Sequence, residues 1–246
     1  LRRTCAPPSL RSKEIHVKTA AFFDLDGTLV AVNSAGLWMK RERRVGRITR
    51  WQALQAVFYI LIYKAGFIDM EKVTVKALRT VKGLEEETVR RWTHAWFREE
   101  VTRFVPQAAL DCIVDHKARG HLCVLLTSAS RYESEAAREY FRLDDILCTR
   151  YEVKDGRFTG NVVLPLCYGE GKVAHAEQYA SGRGVDLAES YFYTDSITDL
   201  PMMLRVGHAR AVSPDPRLKM EARRRGWPIL DWRAPGEEAK KEENKP

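Results

Sequence analysis

A short apolar run, Ala20 to Phe23, ends in two carboxylates two residues apart, Asp24 and Asp26, followed by Gly27 and Thr28. No other stretch limits the fold so strongly. An apolar segment this short, without polar alternation, reads as a strand buried on both faces, as in parallel sheets covered by helices. The acids fall where the strand must turn, so both can reach one pocket although strand neighbours alternate. Adjacent carboxylates repel, and the pair is stable only where a metal, a shared proton or a cation offsets the charge. Such a pair suits Mg²⁺-assisted phosphoryl transfer, one carboxylate attacking and the other moving a proton. The plainer alternative is a solvated acidic turn.

Beyond this strand the pattern becomes helical from about Ser34 to His116, with Trp51, Leu54, Val57, Phe58, Leu61 and Ile62 spaced near 3.6. Further helices are expected over 69–79, 85–103 and 107–119, the last opening after Pro106. An α/β rhythm then resumes. Leu122 to Leu126 reads as a strand running into Thr127-Ser128-Ala129-Ser130, then a helix over 131–141 and a short strand from Asp145 to Cys148. Asp155-Gly156 signals a hairpin within Tyr151 to Leu166. A helix from Lys172 to Gly182, a strand from Tyr191 to Thr194, a helix over 198–205, a strand from Ala209 to Val212 and a basic helix over 215–225 complete the pattern.

The expected fold is α/β, a Rossmann-like doubly wound parallel sheet formed by 18–33 and 117–233. An all-helical cap, 34–116, is inserted after its first strand, and 1–17 and 234–246 read as flexible tails. Ligands in such sheets bind at the carboxyl ends of strands, near the switch point of the topology. Three polar loops fall at those ends, 24–28, 127–130 and 194–199, and Lys172 opens a helix that can reach the same place.

The excess of 41 Lys+Arg over 33 Asp+Glu gives +8, which favours anionic partners, although solubility alone is the plainer reading. A small phosphorylated substrate is expected and nucleic acid is not. The five cysteines, Cys5, Cys112, Cys123, Cys148 and Cys167, form no C-x-x-C pair, so reduced thiols in a cytoplasmic protein are expected. Leu1 to Lys18 lacks the apolar stretch of a signal peptide. The six histidines show no metal-ligand spacing.

Taken together, Asp24-Leu25-Asp26-Gly27-Thr28, Ser128 at the end of an apolar strand, Lys172 in Gly169-Glu170-Gly171-Lys172, and Thr194-Asp195-Ser196-Ile197-Thr198-Asp199-Leu200-Pro201 resemble the four motifs of haloacid dehalogenase superfamily phosphatases, in particular the phosphoserine-phosphatase-like branch. The resemblance spans roughly residues 19 to 232 and implies the following roles. Asp24 attacks phosphorus and becomes an aspartyl phosphate, while Asp26 acts as acid and then base. Asp24, the backbone carbonyl of Asp26 and Asp195 hold Mg²⁺, and Asp199 binds a metal-bound water or orients Lys172. The backbone N–H groups of Leu25 and Ala129, with Thr28, Ser128 and Lys172, surround the phosphoryl group. Thr127 is the alternative to Ser128, and Ser130 reads as the cap of the next helix.

Two departures stand out. Phosphoserine phosphatases place a Glu shortly after the nucleophile loop, and the matching position here is Asn33, so phosphoserine itself is in doubt as substrate. The cap also carries a basic cluster, Lys40, Arg41, Arg43, Arg44, Arg47 and Arg50, before the apolar stretch Ala53 to Ile68. That cluster raises an alternative, a phosphatase of a phosphorylated lipid or amphiphile that touches an anionic membrane. A phosphoaccepting receiver-like signalling domain shares an acid cluster, a Ser/Thr and a Lys. However, its phosphoacceptor lies on a later strand than its acid pair and it has no large helical insertion.

Overall fold

Strand β1 (Ala20–Phe23) has all four side chains fully buried, because it is hydrogen-bonded on both edges and covered on both faces. Its neighbours are β2 (Leu122–Ser130) and β5 (Tyr191–Thr194), both parallel to it. The computed structural model describes residues 18–49, 51 and 70–232. Adding β3 (Asp145–Lys154), β4 (Arg157–Val163), β6 (His208–Val212) and β7 (Ile229–Leu230) gives a seven-stranded sheet in the order β4-β3-β2-β1-β5-β6-β7. Every pair is parallel except β3 with β4. The chain builds outward from β1 through β2 and β3 on one side, then returns to β5 on the other. That reversal puts the topological switch point, and its crevice, at the carboxyl end of β1.

Alternate side chains of the strands feed two apolar layers. Phe23, Leu125, Tyr193 and Val212 face α4 (Gln107–Ala118) and α5 (Arg131–Phe141). Phe22, Val124, Leu126 and Phe192 face α6 (Glu170–Arg183), α7 (Leu200–Arg205) and α8 (Pro216–Arg225). Burial of each large side chain contributes about 2 kcal/mol, so the strand that carries the acids is also among the most firmly held. α4 starts after Pro106 and buries Ala109, Ile113 and His116 against the sheet.

Between β1 and α4 the described residues form α1 (Ser34–Arg44), α2 (Met70–Leu78) and α3 (Glu86–Trp96), which continues through a π turn, Phe97–Val101, and a 3-10 turn, Thr102–Phe104. The periodic stretch beyond Trp51 lies outside the described residues. A small cluster of Val89, Tyr132 and Phe158, with Leu84 and Val81, seats this insertion on the β3–β4 hairpin. Arg90 pairs with Glu135, and the Tyr132 hydroxyl donates to Glu86 Oε1 at 3.0 Å, tying α3 to α5.

Several elements differ in length from expectation. β2 continues to Ser130 as an irregular ladder, with a register shift between Thr127 and Ser130, so the polar loop is a bulged strand end. β3 has ten residues because it pairs first with β2 and then with β4. Asp155 (φ 50°) and Gly156 (φ 71°) make the expected hairpin turn, both with positive φ. β7 is a two-residue strand with no sequence signal of its own. Among the described residues no helix is long and apolar enough to cross a membrane.

Candidate active site

The β1 ladder ends with the Asp24 N–H donating to the Tyr193 carbonyl at 2.9 Å, after which the chain folds back on itself. The Leu25 carbonyl accepts from the N–H groups of Thr28 (3.2 Å) and Val30 (3.0 Å), and the Gly27 N–H donates to the Val32 carbonyl (3.3 Å). Gly27 has φ +70°, and a Cβ there would lie 2.2 Å from Asp195 Oδ2. Glycine is therefore required twice over, for the turn and for the approach of Asp195. This is how the loops at 24–28 and 194–199 meet.

Lys172 enters from the first turn of α6 and is 2% exposed. Its Nζ lies 3.0 Å from Asp24 Oδ1 and donates to Asp199 Oδ2 at 2.6 Å. The Thr194 hydroxyl donates to the same Asp199 oxygen at 2.7 Å. The helix start is pressed inward at Gly171, where a Cβ would fall 1.8 Å from the Leu166 carbonyl oxygen. Asp26 Oδ1 accepts from the Ser34 N–H at 3.1 Å, so the start of α1 orients the second acid. Asp215, beyond β6, steadies the fourth loop. Its N–H donates to the Asp195 carbonyl (2.8 Å), and its carboxylate accepts from the Ile197 N–H (2.7 Å).

The charges are unequal. Lys172 pairs with Asp24 and Asp199, while Asp26 and Asp195 feel the charge of Asp24, and the buried Glu133 that of Asp26. Burial holds the Asp24 carboxyl above its usual range, opposed by Lys172 and reinforced by Asp199. Asp26 is pushed up to about 7, chiefly by burial. Asp195 is pushed up to about 8 by burial, then by Asp24 and Asp199. Burial alone would draw Lys172 down, but Asp199 and Asp24 outweigh it and hold the ammonium above its ordinary range. A group of hard oxygen donors in excess of positive charge is the chemistry that suits a small divalent cation. Among the described residues no three acidic, His or Cys side chains already form a ligating cluster, so carboxylates alone do not complete a coordination sphere here.

The other expected site residues are placed less uniformly. Thr127 is buried, and its hydroxyl accepts from the Ala129 N–H at 3.2 Å, whereas Ser128 is exposed. Ser130 caps α5 by accepting from the Glu133 N–H at 3.3 Å. Thr28 is fully buried, and its Oγ1 has no hydrogen-bond partner. Asn33, expected at the substrate, instead caps α1: it is exposed, and its Oδ1 accepts from the Gly36 N–H at 2.9 Å. Asparagine is among the strongest N-caps, and that local role explains its presence. Sequence reasoning missed Ser34, Thr194 and Glu133. Thr194 lay inside the 194–201 motif without a role of its own, and Glu133 carried a Ser-x-x-Glu spacing that reads as a purely local capping box.

The sequence model of the haloacid dehalogenase-like hydrolase family matches residues 21–204. A probable phosphatase from Mycobacterium tuberculosis is 34% identical over 89% of this chain and 77% of its own length. A histidinol-phosphatase from Neisseria meningitidis serogroup C is 27% identical over 88% of this chain and 100% of its own. A crystal structure of a Bordetella pertussis protein of unknown function is 28% identical, covers 87% of this chain and 99% of its own, and superposes with a TM-score of 0.81. A phosphoserine phosphatase captured as a phospho-aspartyl intermediate analogue shares the fold, with a TM-score of 0.65 at 23% identity over 91% of this chain and 98% of its own. With the family's four loops brought together on the sheet this fold provides, the chain belongs to the haloacid dehalogenase-like hydrolases and is a phosphatase-type enzyme of that family.

Proposed function

We propose that the enzyme is a Mg²⁺-dependent phosphomonoesterase of a small organic phosphate that turns over through an aspartyl phosphate on Asp24. The observation that carries this reading is Lys172, buried between Asp24 and Asp199 at the carboxyl end of the central strand. A buried cation beside a would-be nucleophile stabilises the phosphoryl oxygens as charge develops on them.

In the first step an Asp24 carboxylate oxygen bonds to phosphorus while the bond from phosphorus to the ester oxygen breaks. Asp26, held by the Ser34 N–H, gives its proton to the departing alkoxide. In the second step Asp26 takes a proton from water, whose oxygen attacks phosphorus and frees Asp24. A carboxyl pushed up to about 7 suits a group that must both give and take a proton near neutrality. Asp24, Asp195 and the Asp26 carbonyl are the residues that would hold Mg²⁺, which supplies charge neutralisation. Asp199 orients Lys172 through its Oδ2, which accepts from Lys172 and Thr194, and its Oδ1 is left to a metal-bound water. Thr127 or Ser128, together with the Leu25 N–H, completes the phosphate cradle.

Relatives named phosphoserine phosphatase and histidinol-phosphatase support a small organic phosphate as the substrate class. The lipid reading is not favoured. Arg41 pairs with Glu99 and Glu100 (3.0 Å each), Arg44 with Glu100 (3.3 Å), and Arg47 with Glu42 (2.7 Å), so much of the basic cluster is neutralised within the insertion. Arg50 lies outside the described residues. The receiver-like reading fails on connectivity, since both acids share the loop after β1. Free thiols at Cys112, Cys123, Cys148 and Cys167 fit a cytoplasmic enzyme. The test is hydrolysis of a chromogenic aryl phosphate with and without Mg²⁺. Turnover that needs the metal and is lost in Asp24→Asn supports the reading; equal rates for wild type and variant overturn it.

A further inference from the structure

Glu133 is the third residue of α5, and Ser130-Arg131-Tyr132-Glu133 has the spacing of a capping box, in which the glutamate folds back onto the N-cap N–H. Only half of that box forms. Ser130 Oγ accepts from the Glu133 N–H at 3.3 Å, but Glu133 Oε1 is buried and bonded to nothing. Ser130 is still paired with Thr149 in the β2–β3 ladder, so the glutamate is left without its usual local partner. Nor does it find a cation: Arg131, two residues before it, pairs with Glu135 at 2.7 Å.

The groups that face Glu133 come from three other elements. Asp26, on the loop after β1, lies close enough for the two negative charges to oppose each other. Ser34, at the start of α1, presents its hydroxyl to both carboxyls. Tyr151, on β3, feels the charge of Glu133. A carboxyl that is 8% exposed, has one oxygen without a partner and lies beside another carboxyl destabilises the resting fold, and such groups persist where a ligand supplies the missing partner.

We infer that Glu133 selects the leaving group, receiving an ammonium carried on the alcohol portion of the phosphomonoester beside Asp26. The inference rests on the phosphomonoesterase reading above. Asp26 protonates the departing oxygen, so its carboxyl faces the alcohol side of the substrate, away from the phosphoryl side that Lys172 serves. A carboxyl there repels a phosphate but attracts a cation. The cation also relieves the repulsion between Glu133 and Asp26.

The experiment compares 2-aminoethyl and 3-aminopropyl phosphate with the 2-hydroxyethyl and 3-hydroxypropyl phosphates of matching length. Affinities are measured by calorimetry in Mg²⁺ on Asp24→Asn and on Asp24→Asn/Glu133→Gln, and kcat/KM on wild type. At least one ammonium ester binds Asp24→Asn, and is turned over by wild type, about 10-fold or more better than its hydroxyl counterpart. In the Glu133→Gln background that ratio falls close to one. Equal affinities for both members of each pair, or a preference that survives Glu133→Gln in protein with an unchanged melting profile, overturn the inference. The wild-type ratio needs no variant, so a folding defect in Glu133→Gln does not rescue it. Aryl phosphate hydrolysis without ammonium preference sinks this inference alone; no hydrolysis of any ester sinks the phosphomonoesterase reading.

Discussion

Around β5 and the start of β6 the rings of His116, His121, Tyr191, Tyr193 and His208 pack together, with His116 and Tyr193 buried and both ring nitrogens of His116 partnered within the protein. His116 Nδ1 meets His121 Nδ1 at 2.9 Å, and its Nε2 meets the Tyr193 hydroxyl at 2.8 Å. The His121 ring stacks on Tyr191, and Tyr191 on His208, with centroids 5.6 and 4.4 Å apart. At the carboxyl ends of the same strands the arrangement is the opposite. Thr28 Oγ1 and Glu133 Oε1 have no partners, and the carboxyls of Asp24, Asp26, Asp195 and Glu133 are all held above their usual range. In one cluster the central histidine is bonded through both ring nitrogens, while the other holds unpartnered polar atoms and raised carboxyls. Unsatisfied polarity thus separates the functional end of this sheet from the structural end more cleanly than burial does.

The largest expected effect comes from Lys172→Met, which leaves Asp24 and Asp199 buried without their counter-charge. kcat/KM falls by about 10³ or more, and stability by roughly 3–5 kcal/mol, measured by steady-state kinetics and denaturant unfolding. Unchanged stability would mean that the buried pair does not depend on the lysine. Next are the two hydroxyls at the end of β2. Thr127 shares the burial of Asp24 and Lys172, whereas Ser128 is exposed. Thr127→Ala should therefore lower kcat by about 10²-fold, and Ser128→Ala by much less. The reverse order would assign the phosphate contact to Ser128.

Asp195→Asn sharpens the contrast, because it should remove activity yet raise thermal stability. A carboxyl raised from 3.8 to about 8 in the fold costs nothing below 3.8, lowers stability steadily as pH rises from about 4 to about 8, and carries its full penalty above that. At pH 8 without divalent cations the variant should melt a few degrees higher, at about 2–4 °C per kcal/mol. A lower melting temperature would show that the site does not carry this strain.

The smallest effect lies at the structural end. Burial, then His121 and Arg119, lowers His116 to about 4 from its ordinary 6.5. A depressed histidine adds stability that is complete above 6.5 and drains away as pH falls toward about 4. His116→Gln should flatten that acid limb of the melting profile and leave turnover at neutral pH unchanged. An unaltered acid limb would assign acid sensitivity elsewhere.

The readable parts of the sequence were those whose signal is local. The apolar run into Asp24 and Asp26 marked β1 because a strand buried on both faces has almost no other reading. The loops at 127–130 and 194–199 were found because each follows such a strand. What escaped depends on partners far along the chain. The acidic partners of the basic cluster were not legible, because Glu99 and Glu100, which pair with Arg41, lie almost sixty residues on. Glu133 looked like half of a capping box because nothing local shows that Ser130 stays in the ladder. Asn33 was drawn into the site by counting along a family motif, although its own helix-capping chemistry was the stronger signal. α4 fell inside the expected insertion by its helical pattern. Its buried face, Ala109, Ile113 and His116, leads us to place the return to the core near Pro106.

If Asp24 carries the phosphoryl group between the two half-reactions, acid quenching during steady-state hydrolysis traps it. Peptide mass spectrometry then finds an acid-stable, hydroxylamine-sensitive phosphate adduct on the peptide that contains Asp24, absent from Asp24→Asn. Continuing hydrolysis with the adduct on another residue, or undiminished turnover in Asp24→Asn, rules out a phosphoryl transfer through Asp24.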